Sequence, residues 1–137
     1  MDSKMFEKAN QVIKKSANVH LGVIDENGYP VVMAMSLINP EDISQIFLST
    51  TISSNKSKCL QKNKKASICC STNNDNITLV GEAEILTDQE TKSKYWQNWF
   101  IEVYPGGETD PDYCIIKFTT KRASLYVGNE ASEFELS

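Results

Sequence analysis

Ile46-Phe-Leu-Ser-Thr-Thr-Ile-Ser-Ser-Asn-Lys-Ser-Lys-Cys-Leu60 is the stretch on which the reading of the rest of the chain turns. Ile46, Phe47 and Leu48 read as the end of a strand, and the run then passes into hydroxyl residues. Ser53 or Ser54 is a natural N-cap, because its side-chain oxygen accepts a bond from an orphan helix N–H. Lys56 then falls in the first turn, where positive charge is mildly unfavourable against the helix dipole. An anion bound over that turn would offset the cost, and N–H groups, hydroxyls and one lysine make a phosphate cradle. The bland alternative is a solvated lysine beside Lys58, Lys62, Lys64 and Lys65. The residues alone leave both readings open.

Upstream, Phe6, Ala9, Ile13 and Ala17 recur at helical spacing and predict a helix over 2–17, capped by Asp2 or Ser3. Val19, Leu21 and Val23 alternate with His20, Gly22 and Ile24, so a strand follows to Asp25. Asn27-Gly28 is a hairpin turn, and the return strand runs over 31–38. Asn39–Asp42 is a loop, and the third strand covers 45–49. The cradle helix runs over 54–62.

Downstream, strands are predicted over 66–72 and 77–86, with Gly81 marking a bulge or a close backbone approach. Thr87-Asp-Gln-Glu90 reads as a capping box that opens a helix over 88–101. That helix carries Tyr95, Trp96, Trp99 and Phe100. Positions 96, 99, 100 and 103 share a helical face, which suits core packing and a subunit interface. Tyr104–Asp112 is a turn-rich loop. Strands follow over 113–119 and 122–127, and the acidic end 130–137 is expected to fray. The class is mainly β (α+β): six to seven mostly antiparallel strands with flanking helices, arranged as a small barrel closed to remove its edges.

The chain has 137 residues and no linker or repeat, which predicts a single domain over 1–137. A hydrophobic fraction of 40% supports a real core, and a net charge of −4 argues against general nucleic-acid binding. No apolar run reaches membrane-spanning length, and the charged N-terminus has no signal-type core. Cys59, Cys69, Cys70 and Cys114 show no Cys-x-x-Cys spacing, so zinc is not indicated. Free thiols in a reducing cytoplasm are the expected state. Cys59, near several lysines, is the candidate for a reactive thiol. There is no Gly-x-Ser-x-Gly, Walker loop or Gly-x-Gly-x-x-Gly, and His20 is the sole histidine. A chain so poor in side-chain chemistry either binds something or borrows chemistry from a cofactor.

Four stretches in order carry a family resemblance: Leu21–Pro30 leading into Met33-Ala-Met-Ser36; Phe47–Lys56 continuing through Leu60 and Asn63; Gly81–Leu86; and Tyr104–Tyr113 followed by Ile115–Phe118. From the first helix to Tyr126 the chain resembles the pyridoxamine 5′-phosphate oxidase-like, FMN-binding split-barrel superfamily, in its general stress protein branch. The resemblance implies a split β-barrel and a homodimer with flavin at the subunit interface. It implies that Met33, Ala34, Met35 and Ser36 run beside the flavin ring. It implies that Ser49, Thr50, Asn55 and Lys56 surround the phosphate. The implied activity is that of a flavin-dependent oxidoreductase on a small substrate. The alternative is a non-catalytic, stress-related flavin-binding or apo protein; haem or a deazaflavin is a third occupant. The chain departs from the pattern at Tyr126, in place of a tryptophan, and at Met33, in place of an arginine that pairs with the phosphate. A thioether carries no charge and donates no hydrogen bond. Loss of one bidentate contact weakens phosphate binding by roughly 2–4 kcal/mol, about 30- to 1,000-fold.

Overall fold

The longest strand organises the molecule. In the computed structural model, which describes residues 3–38 and 40–136, one strand runs unbroken over Tyr113–Val127. In chain order the elements are α1 (Ser3–Lys14), β1 (Asn18–Ile24), β2 (Pro30–Ser36), β3 (Gln45–Thr51), α2 (Asn55–Lys62), β4 (Lys65–Thr72), β5 (Asp75–Leu86), α3 (Gln89–Lys94), β6 (Tyr113–Val127) and β7 (Glu130–Glu135). Short 3-10 turns cover Asn98–Glu102 and Gly107–Thr109 between α3 and β6. All pairings are antiparallel, in the order β2-β1-β4-β5-β6-β3, with β7 also on β6.

The predicted strands 113–119 and 122–127 are therefore one. The first half of β6 takes β3 as its outer partner and the second half takes β7. The handover explains the polar interruption at Thr120-Lys121. Gly81 pairs with Thr120 and Val80 with Arg122, so Lys121 is the extra residue of a bulge. Such a bulge bends the strand and sharpens its twist. Both features foreseen at Gly81 are present, the register shift and the close approach of the neighbouring backbone.

The sheet does not close, contrary to the expected closed barrel. Among the described residues β2 and β3 end the hydrogen-bonded path without pairing with each other. The result is a split barrel with a seam between the ends of β2 and β3. Alternation along the strands fills its interior: Val19, Leu21 and Val23 of β1, Ile46 and Leu48 of β3, Ile68 and Cys70 of β4, Ile116 and Phe118 of β6. The start of β6 is buried on both faces, because Tyr113 and Ile115 face a second cluster with Ile38, Phe100 and Tyr104. Helix α1 lays Ala9, Val12 and Ile13 on the main core. Burial of Val12 and Ile13 contributes about 1.5–3 kcal/mol each. Asn10 is buried too, and its Oδ1 accepts the Ile43 N–H at 2.9 Å.

Other boundaries differ from the expectation for local reasons. Helix α1 ends at Lys14, where the Ser16 hydroxyl turns back onto the Val12 carbonyl; of the two expected caps, Ser3 is the first residue of the helix, and Asp2, like the loop residue Asn39, lies outside the described residues. The end expected to fray forms β7, because Gly128 and Asn129 both adopt positive φ (60° and 63°) and make a tight hairpin. Helix α3 is six residues long, not fourteen. Its N-cap is Asp88, whose carboxylate takes the Thr91 N–H at 3.0 Å and the Thr91 hydroxyl at 2.7 Å. These bonds hold the Asp88 carboxyl below its ordinary range. The helix stops because its aromatics turn inward: Tyr95 stacks on Phe47 at 4.3 Å and Trp96 meets Tyr113 edge-on at 5.3 Å. Trp96, Trp99, Phe100 and Val103 thus do not form one helical face. Phe100 is buried, while Trp99 and Val103 are 46% and 51% exposed.

Candidate functional site

A cleft of about 290 Å³ opens at the seam, lined by Ala34, Met35 and Ser36 of β2, Ser49, Thr50 and Thr51 of β3, Lys56 of α2, and Trp99, Val103 and Tyr104. Six of the eight residues proposed from sequence meet there. Met33 does not: it lies half-buried against the main core, opposite Leu21, in the same phase as Met35, which packs on that core and also reaches the cleft. Asn55 is exposed and borders a separate hollow with Asp25, Lys58 and Lys62. The residues that sequence reading left out of the site are Thr51, Trp99, Val103 and Tyr104. Thr51 lies in the hydroxyl run after Leu48, and the signal for the other three is the aromatic load after position 94, which reads locally as a continuous helix.

The cradle is built locally. Ser54 is the N-cap, taking the Ser57 N–H at 3.3 Å. The Ser54 and Ser57 hydroxyls both donate to the Thr51 carbonyl, at 2.8 and 2.7 Å, and dock the helix start on the strand end. Ser53 instead faces Asp112: its N–H and hydroxyl donate to the two carboxylate oxygens, each at 2.9 Å. Lys56 is half-buried, with Nζ donating to Thr50 Oγ1 at 3.2 Å. Among the described residues lining the cleft, Lys56 alone is charged. An ammonium over a hydroxyl at a helix N-terminus opposes the dipole by about 0.3–1 kcal/mol, and a bound anion would reverse the sign.

The loop that walls the cleft is pinned at several points. Asp110 accepts the N–H groups of Gly106 and Asp112, both at 2.9 Å, which lower its carboxyl from the ordinary range. The buried Lys92 donates to the Asp110 carbonyl at 2.9 Å and lies 5.4 Å from the Tyr113 ring centroid. Tyr113 returns the contact through its hydroxyl to the Lys92 carbonyl at 2.7 Å. Burial raises the Tyr104 phenol, with the Ser49 hydroxyl acting the other way, so at neutral pH this group is a donor facing the cleft.

Beneath the cradle the Cys114 thiol donates to the Thr50 carbonyl at 3.6 Å. Burial pushes this thiol from 9.0 up to about 11, and the Ser57 hydroxyl only partly offsets that. Between those values the folded chain holds a proton that the unfolded chain has released, so stability is full below pH 9 and falls as pH rises. The loss is about 2 kcal/mol by pH 11. Urea unfolding across this range is expected to fall more steeply for the wild type than for Cys114→Ala. Parallel curves would show that the loss has another source.

Two other expectations are corrected by burial. Cys59, the candidate reactive thiol, is buried in the main core, whereas Cys69 is exposed. The sole imidazole, His20, points outward from β1 and is not among the cleft residues. Among the described residues no three His, Cys, Asp or Glu side chains gather as a metal set, and no helix is long and apolar enough to cross a membrane.

The fold is shared with known proteins. The model of the pyridoxamine 5′-phosphate oxidase-like family matches residues 4–135. The chain belongs to that family. A solved structure of a Clostridium acetobutylicum protein related to general stress protein 26 of Bacillus subtilis, of the pyridoxinephosphate oxidase family, is 30% identical. It aligns over 99% of this chain and 97% of that one with a TM-score of 0.87. General stress protein 26 of Bacillus anthracis is 22% identical over 96% and 98% of the two chains, with a TM-score of 0.81. A haem-binding protein of Mycobacterium smegmatis shares the fold at 14% identity and a TM-score of 0.75, over 94% of this chain and 57% of that one. No curated protein matches the chain.

Proposed function

We propose that this family member binds FMN in the seam cleft as a homodimer and serves as an oxidoreductase on a small substrate. The observation that carries the reading is the Lys56–Thr50 contact of 3.2 Å at the capped start of α2, in the same cleft as the edge of β2. Lys56, the Thr50 hydroxyl and the first-turn N–H groups suit a phosphate monoester. The exposed edge at Ala34–Ser36 offers unpaired backbone groups to a planar polar ring, and Tyr104 adds a hydroxyl donor. A bound flavin supplies hydride and electron transfer; the chain's task is to hold, orient and shield. At about 290 Å³ the cleft lies at the lower edge of the range for ligand sites. Trp99 and Val103 leave its outer side open. A second copy seated there would supply the missing wall, which supports the dimer.

A second reading, flavin binding without turnover, is favoured by one observation. Met33 packs on the core and leaves Lys56 as the single cation among the described residues lining the cleft. Weak phosphate affinity follows.

The test is an absorption spectrum of protein purified without added cofactor, then an FMN titration followed by fluorescence. Saturable binding is expected, weakened about 10- to 150-fold in Lys56→Ala, the equivalent of a charge-assisted hydrogen bond worth about 1.5–3 kcal/mol. No flavin band and no titration would end the cofactor reading; unchanged affinity in the variant would move the phosphate elsewhere. Bound flavin that NAD(P)H cannot reduce would select the second reading.

A further inference from the structure

The outer face of the sheet, one strand in from Ala34 of the cleft, places two chemically active side chains in register. In the register of β1 and β4, His20 stands directly opposite Cys69. Both are exposed, because each occupies the outward phase of its strand: Val19 and Leu21 flank His20 and face the core, as do Ile68 and Cys70 around Cys69. Directly opposed residues on neighbouring strands have Cβ atoms about 4.5–5.5 Å apart, within reach of a thiol and an imidazole. The neighbours are small. Ala34 lies across β2 from His20, Thr78 across β5 from Cys69, and Gly22 pairs with Ser67 one step along the face. The chain's one histidine thus stands in register with its one exposed cysteine, while Cys59, Cys70 and Cys114 are buried.

We propose that Cys69 and His20 form a thiol–imidazole pair that undergoes thiol–disulfide exchange with small-molecule disulfides, leaving a mixed disulfide on Cys69. Cys69 Sγ attacks one sulfur of the disulfide; a new S–S bond forms as the old one breaks. His20 accepts the thiol proton and passes it to the departing thiolate, or to solvent when that thiolate leaves ionised. The Cys69 sulfur is oxidised and the released half of the reagent is reduced to a thiol. The product persists until an external thiol reverses it, because no second thiol of the chain can resolve it. Cys70, adjacent in sequence, points to the opposite face, as successive strand residues must. The pair adjoins Ala34, which lines the seam cleft, but neither His20 nor Cys69 is itself a cleft residue.

The experiment uses the native chain and a bis(nitrobenzoate) disulfide reagent that releases a coloured thiolate. One equivalent per chain is expected in a fast phase, with the remaining thiols reacting only after denaturation. Cys69→Ser should abolish the fast phase. His20→Ala should keep the single equivalent but slow it about tenfold, and added imidazole should restore the rate. Both positions are exposed, so an unchanged thermal transition confirms that the variants fold. A fast phase that survives Cys69→Ser overturns the assignment of the thiol. A rate unchanged in His20→Ala, or lost and not restored by imidazole, overturns the role of His20. The absence of any fast phase, or a disulfide between two chains in place of a mixed disulfide, overturns the proposal as a whole.

Discussion

Gly81→Ala is expected to destabilise the fold by about 4 kcal/mol, beyond the usual overpacking range, with a matching drop in the urea midpoint. A Cβ built at Gly81 falls 2.0 Å from the Thr119 carbonyl oxygen and 3.1 Å from the Thr120 Cα. Both obstacles are backbone atoms of β6, so no rotamer change relieves them. Nor can the strand retreat. Just before this point β6 is bonded to β3 on its other side, and the Thr120 N–H donates to the Ser44 carbonyl at 2.9 Å. The Thr120 hydroxyl is also bonded to the Ile43 carbonyl. The substitution must therefore break the β5–β6 ladder at the bulge or push β6 off β3. A stability within 1 kcal/mol of wild type would mean that the two strands can part at Gly81 without loss.

Tyr113→Ala carries the second large effect, about 3–5 kcal/mol, from a fully buried ring and the cavity left behind. The ring meets Tyr104 at 4.8 Å, Trp96 at 5.3 Å and Phe100 at 6.0 Å. Its hydroxyl satisfies the Lys92 carbonyl, and burial raises that phenol far above its ordinary value. Removing the ring deprives the second core of its centre and frees Tyr104, a wall of the cleft. FMN affinity, on the reading proposed above, should fall with stability. Tyr113→Phe separates the contributions: it keeps the ring and leaves one buried carbonyl unpaired, at about 1–3 kcal/mol. Thermal unfolding and FMN titration of both variants give the comparison. Equal losses in the two variants would place the effect in the hydrogen bond and not in the packing.

Strand alternation in β1, β3, β4 and β5, the Asn27-Gly28 hairpin and a cap at Ser53 or Ser54 were legible from the chain because each rests on local chemistry; the structure takes Ser54. The placing of Lys56 with Thr50 was implied by the family resemblance, and the two side chains do meet at 3.2 Å. The region after Asp88 was not legible. Aromatic residues suit a helix face as well as a 3-10 turn, and the choice was made by Phe47 and Tyr113, distant in sequence. The tail 130–137 was misread because composition favoured fraying, whereas the Gly128-Asn129 turn and the free side of β6 gave it a partner.

The sequence by itself determined the mainly antiparallel class and the capped start of α2, because periodicity, caps and turns act within a few residues of chain, and its four ordered motifs carried the family resemblance. Only the tertiary structure decided that the barrel stays open between β2 and β3, that Met33 turns into the core, and that His20 faces Cys69. Those outcomes depend on strand register and on which sheet face is buried. Register is set by packing between elements far apart in the chain, and a slip of one residue would reverse every face.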